Sequence, residues 1–144
     1  MRRGKLIEDG LTRSVIGAFY EVYAELGFGF VEHPCVLAME RELSARGHTA
    51  IREFPAMIRY KGKDLCEQRL DMVVDNLLII EIKSSAVLPP NSIRQLHNYL
   101  RATHFEVGLL LHFGPEAKFY RRVLSNESKN LRRTGSVLTT EVQI

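Results

Sequence analysis

The stretch Arg69-Leu70-Asp71-Met72-Val73-Val74-Asp75-Asn76-Leu77-Leu78-Ile79-Ile80-Glu81-Ile82-Lys83 decides how this chain is read. Its two runs, Leu65 to Val74 and Leu78 to Lys83, are rich in the branched aliphatic residues that suit a pleated surface, and they join around Asp75-Asn76. They predict two antiparallel strands. Side chains two apart on a strand share a face, so Glu81 and Lys83 point the same way. The turn decides where Asp71 lies. If Val74 pairs with Leu77, Asp71 faces Ile80 and Glu81 falls on the other side of the sheet. If Val74 pairs with Leu78, Asp71 lies opposite Glu81 and the two carboxylates converge. The second register, or a bulge equivalent to it, is the expectation.

Outward from this hairpin, Phe54, Ala56, Ile58 and Tyr60 alternate with Glu53, Pro55, Met57 and Arg59, which predicts a strand from Thr49 to Tyr60, with Pro55 pointing to an edge position or a bulge. Lys61-Gly62-Lys63 turns the chain into the next strand. Towards the N-terminus, Leu11, Val15, Phe19, Val22 and Leu26 recur at helical spacing over residues 13–26, with Thr12 as the expected cap and Gly27 as the stop. Pro34 suits the first turn of a second helix, whose inner face uses Cys35, Ala38, Met39 and Leu43 and which ends at Gly47. Beyond Pro89-Pro90, Asn91 or Ser92 can cap a helix running to about Ala102. Val107 to Phe113 then reads as a buried strand and Ala117 to Leu124 as another. The order is ααβββαββ. It predicts a mixed β-sheet flanked by helices, because the strand after the third helix can return in parallel by a crossover.

The chain has 144 residues, 45% hydrophobic and 26% charged, which fits one globular domain and excludes a disordered chain or a disulfide scaffold. Residues 1–124 are expected to form that domain, with 125–144 as a polar, basic tail or a late edge strand from Val137 to Ile144. No run is apolar enough for a membrane span, and Glu8-Asp9 spoil the start as a secretory signal, so the expectation is a cytoplasmic protein. Cys35 and Cys66 lack metal-site spacing and read as buried thiols. The net charge of +3 is concentrated near the end, where Lys118 to Ile144 holds six Lys and Arg against two Asp and Glu. Lys118, Arg121, Arg122, Lys129, Arg132 and Arg133 could follow a phosphate backbone, or simply coat a solvated strand and tail.

Asp71, Glu81 and Lys83 sit at the end of the most apolar run in the chain. Two carboxylates there could hold a hard cation while the lysine orients water or stabilises charge on a phosphate. The plainer alternative is an ion-paired cluster at the sheet rim. Gln95 and Tyr99 are four apart on the third helix and could reach a phosphate or the lysine, or pack as a core edge. Glu32, before the second helix, is a further acidic candidate, and Glu42 a weaker one. His33, His48, His97, His104 and His112 show no zinc spacing.

Beyond these chemical patterns, the chain resembles the GxxExxY proteins of the PD-(D/E)XK nuclease-like superfamily across residues 11–124. The resemblance is carried by Leu11-Thr12-Arg13, Ile16-Gly17-Ala18, Glu25-Leu26-Gly27-Phe28-Gly29-Phe30-Val31-Glu32, Tyr60-Lys61-Gly62-Lys63, Arg69-Leu70-Asp71-Met72-Val73-Val74, Ile80-Glu81-Ile82-Lys83, Gln95-Leu96-His97-Asn98-Tyr99-Leu100, Val107-Gly108-Leu109-Leu110 and Phe113-Gly114. Cys35 occupies the tyrosine position of the naming motif. The resemblance implies a restriction-endonuclease-like core, Asp71 and Glu81 as metal ligands, Lys83 as the catalytic lysine, and Gln95 with Tyr99 as a Q-x-x-x-Y element like that of RecB-like members.

The resulting expectation is a nuclease that hydrolyses DNA phosphodiesters with Mg2+ or Mn2+. Asp71, Glu81 and the Ile82 carbonyl would hold the metal, and Glu32 would complete its shell or orient Lys83. Gln95, Tyr99, Arg121 and Arg122 would contact the substrate. RNA as substrate and a homodimer stay open. The rival reading is a noncatalytic nucleic-acid-binding or protein-interaction module that retains the fold, supported by Cys35 and the small size of the chain.

Overall fold

A computed structural model describes residues 7–129. The elements follow the expected order: α1 (Asp9–Leu26), α2 (Glu32–Ala45), β1 (Ala50–Tyr60), β2 (Lys63–Val74), β3 (Leu78–Ser84), α3 (Ser92–Ala102), β4 (Val107–Phe113) and β5 (Ala117–Val123). The strands form one sheet in the order β1-β2-β3-β4-β5, antiparallel throughout except for the parallel β3–β4 pair that α3 connects. Pro55 lies on β1, the edge strand of the sheet, where proline is best tolerated.

The two faces of the sheet bury different residues. Met72, Val74, Leu78, Ile80, Ile82 and alternate residues of β4 pack with Val15, Phe19 and Val22 of α1 and with Cys35, Met39 and Leu43 of α2. On the other face Leu70, Val73, Ile79 and Leu110 pack with Leu96, Tyr99 and Leu100 of α3. The strongly apolar β3 thus serves two cores at once, as a strand covered on both sides must. Glu81 and Lys83 fall in register on the α3 face.

Several local expectations are corrected. Thr12 is not a cap: α1 starts at Asp9, after Glu8 in a left-handed conformation, and Thr12 is buried inside it. Cys66 is exposed on β2 rather than buried. The segment after β5 does not begin as a free tail. Ser125 to Lys129 makes a helical turn in which Asn126 N–H donates to Glu106 Oε2 (2.8 Å) and buried Lys129 Nζ donates to the carbonyls of Thr103 and Phe105, each at 2.7 Å. Lys129 therefore ties this turn to the end of α3 and is not a surface cation awaiting a phosphate. Arg132, Arg133 and the Val137–Ile144 strand lie outside the described residues.

A chain of polar contacts holds the β2–β3 turn. Ser14 Oγ lies 2.7 Å from His48 Nε2, and His48 Nδ1 lies 2.7 Å from Asp75 Oδ2. Thr49 N–H also donates to Asp75 Oδ1 (2.8 Å). Burial raises the Asp75 pKa, but the Thr49 N–H and His48 outweigh it and hold the carboxyl below its usual range. The order serine, histidine, aspartate resembles a nucleophile triad. Its structural effect here is to staple α1 and the α2–β1 loop to the turn that sets the sheet register.

Candidate functional site

In the β2–β3 turn Asp75 (φ 53°) and Asn76 (φ 55°) are both left-handed, as in a type I′ hairpin, and Leu77 N–H donates to the Val74 carbonyl (3.0 Å). Leu77 is then passed over as an extra residue, 43% exposed, and Val74 partners Leu78. This is the register that lets the acids meet. The ladder's last pair is Met72 with Ile80. Beyond it the carboxylates take over the main-chain bonding: Asp71 N–H donates to Glu81 Oε2 (3.0 Å) and Ile82 N–H donates to Asp71 Oδ2 (2.8 Å). Each acid is thus oriented by the backbone of the opposite strand where the strands part.

Glu81 is 5% exposed. Burial pushes its pKa up to about 8, and the neighbouring Asp71 carboxyl adds to the shift, against the Asp71 N–H and the positive charge of Lys83. Half-buried Lys83 makes no salt bridge among the described residues, so its charge is not consumed by an ion-paired cluster. Two carboxyls in hydrogen-bonding reach, one of them kept protonated at neutral pH, form a site that a divalent cation would relieve. Among the described residues no third His, Cys, Asp or Glu joins them. The donor set therefore fits a magnesium-like ion that retains water and takes oxygens from substrate, and does not fit closed tetrahedral zinc. Ile82 is tied to the pair through its N–H.

The pKa shift carries a stability consequence. The folded value of about 8 lies above the unfolded value of about 4.3, so in the cation-free protein the contribution of Glu81 to stability is fully present below the unfolded value and is lost as pH rises through about 8. Glu81→Gln cannot ionise. Its melting temperature should exceed that of the wild type near pH 9 and converge with it near pH 5, and parallel profiles would contradict the shift.

Tyr99 joins the site from α3. Burial raises its pKa, and the charges of Glu81 and Asp71, which act on its hydroxyl, raise it further. Its hydroxyl accepts from Gln95 Nε2 (3.1 Å) and donates to Gln68 Oε1 (3.5 Å). Gln68 escapes strand parity, since it lies three positions before Asp71, an odd step. The structure explains the exception. Phe54 and Leu70 pack on the α3 face, whereas Ala50, Met72 and Val74 pack on the other, so β1 and β2 exchange faces at Glu53 and Asp71. Glu53 has φ 51°, a left-handed residue inside a strand.

The remaining candidates are placed elsewhere. Glu32 is exposed at the first position of α2, in the helix layer of the opposite face, and its charge acts on the buried Cys35 thiol, whereas the charges that dominate at Glu81 are Asp71 and Lys83. Cys35 is buried in the α1–α2 core beside Ser84. Arg121 and Arg122, on β5, pair with Leu109 and Gly108 of β4, so they lie on opposite faces and two strands from Glu81. Arg121 donates to the Ile7 carbonyl and Arg122 Nη1 to the Arg121 carbonyl (2.8 Å). They do not form one phosphate-binding surface.

The chain belongs to the PD-(D/E)XK nuclease superfamily, which matches residues 9–123. Among solved structures it is similar to the crystal structure of SSO0001, with 20% sequence identity and a TM-score of 0.50 over 88% of this chain and 65% of that one. At that identity the likeness speaks for the fold, and together with the family match it makes this sheet a restriction-endonuclease-like α/β fold. No curated protein matches the chain. Among the described residues no helix is long and apolar enough to cross a membrane.

Proposed function

We propose that the protein is a metal-dependent nuclease of the GxxExxY type that hydrolyses phosphodiester bonds of DNA. The observation that carries this reading is the interlocked Asp71–Glu81 pair, oriented by the Asp71 and Ile82 N–H groups, with Lys83 next on the same strand face. A cation held by the two carboxylates would supply charge stabilisation at the phosphate and lower the pKa of a coordinated water. Lys83 brings up to three N–H donors to hold the attacking water or a phosphate oxygen as the water oxygen bonds to phosphorus and the leaving oxygen departs. Gln95, Gln68 and Tyr99 form a neutral hydrogen-bonded wall beside that centre, suited to fixing a phosphate without competing for the cation.

A substrate panel tests this. Purified protein with Mg2+ or Mn2+ should cut at least one of single-stranded, double-stranded or branched DNA, and Ca2+ should suppress cutting because its looser coordination holds substrate without enforcing reactive geometry. No cleavage across the panel with either metal would overturn the reading.

A further inference from the structure

A groove leads from Tyr99 away from the carboxylate pair, between the β1–β2 ribbon and α3. Its near compartment, about 630 Å³, is lined from the ribbon by Ile58, Cys66 and Gln68 and from the helix by Gln95, Asn98 and Tyr99. Its far compartment, about 550 Å³, runs past Phe54 and Met57 to Thr103, His104 and Phe105. Arg59 and Arg101 line both, which makes them one track with two arginines at its waist. Among the described residues no Asp or Glu lines either compartment. The Asp71–Glu81 pair lies at the end of the track, where it would meet the scissile phosphate.

The chemistry of the walls changes along this track. Near the pair it is amide and phenol, with Gln68, Gln95, Asn98 and Tyr99 offering donors and acceptors without charge. At the waist it is cationic. Arg59 pairs with Asp64 at 2.9 Å on the exposed ribbon, whereas exposed Arg101 makes no salt bridge among the described residues. In the far compartment the exposed His104 ring lies over buried Phe105 (4.3 Å between centroids), which itself packs edge-on against Phe54 at 5.6 Å. A ring braced from below in this way offers one face to a base. From Gln95 to Ala102 the helix wall is about 10 Å long, enough for a short run of backbone phosphates.

These features discriminate between forms of DNA. A duplex keeps its base faces stacked inside and presents its backbone, so a ring set within a walled groove and a row of amides give it little. An unpaired strand can use all three: phosphates on arginine, a base on the imidazole and base edges on the amides. We propose that this groove carries one unpaired DNA strand to the Asp71–Glu81 pair, with its phosphates on Arg59 and Arg101 and a base stacked on His104. The protein would then act on single-stranded or frayed DNA. This rests on the nuclease reading of the pair but stands on different residues.

Binding of a fluorescent short oligodeoxythymidylate in Ca2+, compared with a blunt duplex of the same length, tests it without requiring cleavage. The wild type should prefer the single strand by about tenfold or more. Arg101→Glu should lose about tenfold and flatten the salt dependence, and His104→Ala should lose several-fold. Arg13→Glu, on an exposed α1 residue paired with Asp9, should bind as the wild type does. Equal or tighter duplex binding, no measurable single-strand binding, or an Arg101→Glu variant that melts and binds like the wild type would overturn the proposal. Arg101-dependent strand binding without cleavage anywhere in the panel would remove the nuclease reading and leave the groove. Cleavage that is indifferent to Arg101→Glu would do the reverse.

Discussion

Asp71→Ala, Glu81→Ala and Lys83→Ala are each expected to lower the rate of cleavage by about 10²–10³-fold or more, the scale seen when one preorganised group is taken from a charge-stabilising site. The fold should survive in all three. The two acids lie where the β2–β3 ladder ends, and the strands are held by apolar residues on both faces rather than by the acids. Burying the Glu81 carboxyl beside Asp71 costs stability, so removing either acid relieves the protein even as it removes the chemistry. Loss of activity with an unchanged or raised melting temperature is therefore the signature expected of a functional pair. Because the three groups act as a unit, the double variant Asp71→Ala/Glu81→Ala should be little worse than either single one. Additive losses would indicate groups working independently.

The second large effect is expected at Gly108 on β4. A Cβ there would come within 2.7 Å of Leu96 Cδ1 and 3.5 Å of the Ile79 carbonyl oxygen, so the absent side chain is what lets α3 lie close against the sheet. Gly108→Val should cost about 1–3 kcal/mol by overpacking. It should also reduce cleavage, since the displaced helix carries Gln95 and Tyr99 away from Gln68 and the carboxylates. Adding Leu96→Ala removes the atoms in the way. The double variant should recover much of what Gly108→Val loses relative to the Leu96→Ala background, which denaturant unfolding of all four proteins would measure as a coupling energy. A Gly108→Val protein as stable and active as the wild type would show that helix and sheet are not held at this separation.

The core of the site was legible because its determinants are local. The apolar run Leu78-Ile79-Ile80 fixes β3, alternation puts Glu81 and Lys83 on one face, and Asp75-Asn76 supplies residues that tolerate the left-handed turn, so the register followed from parity and turn chemistry. The helix layers were legible from their stripes, although α1 begins four residues ahead of the position read from Thr12. Gln68 was not legible. Parity counting assumes an unbroken pleat, and the exchange of faces at Glu53 and Asp71 breaks it through a left-handed glutamate, a residue type that gives no warning of that conformation. Lys129 misled for another reason: charge density along a sequence does not reveal which ammonium group will find two buried carbonyls. The separation of Arg121 from Arg122 was open to view, since adjacent residues on a strand face opposite ways.

The central claim is that Asp71 and Glu81 together make a divalent-cation site. Titrating Mn2+ into the wild-type protein at about pH 8 by calorimetry, beside Asp71→Ala and Glu81→Gln, tests it most directly. A saturable binding event in the wild type that each substitution abolishes or weakens at least about tenfold is the predicted result. No binding by the wild type, or equal binding by all three proteins, would contradict the account.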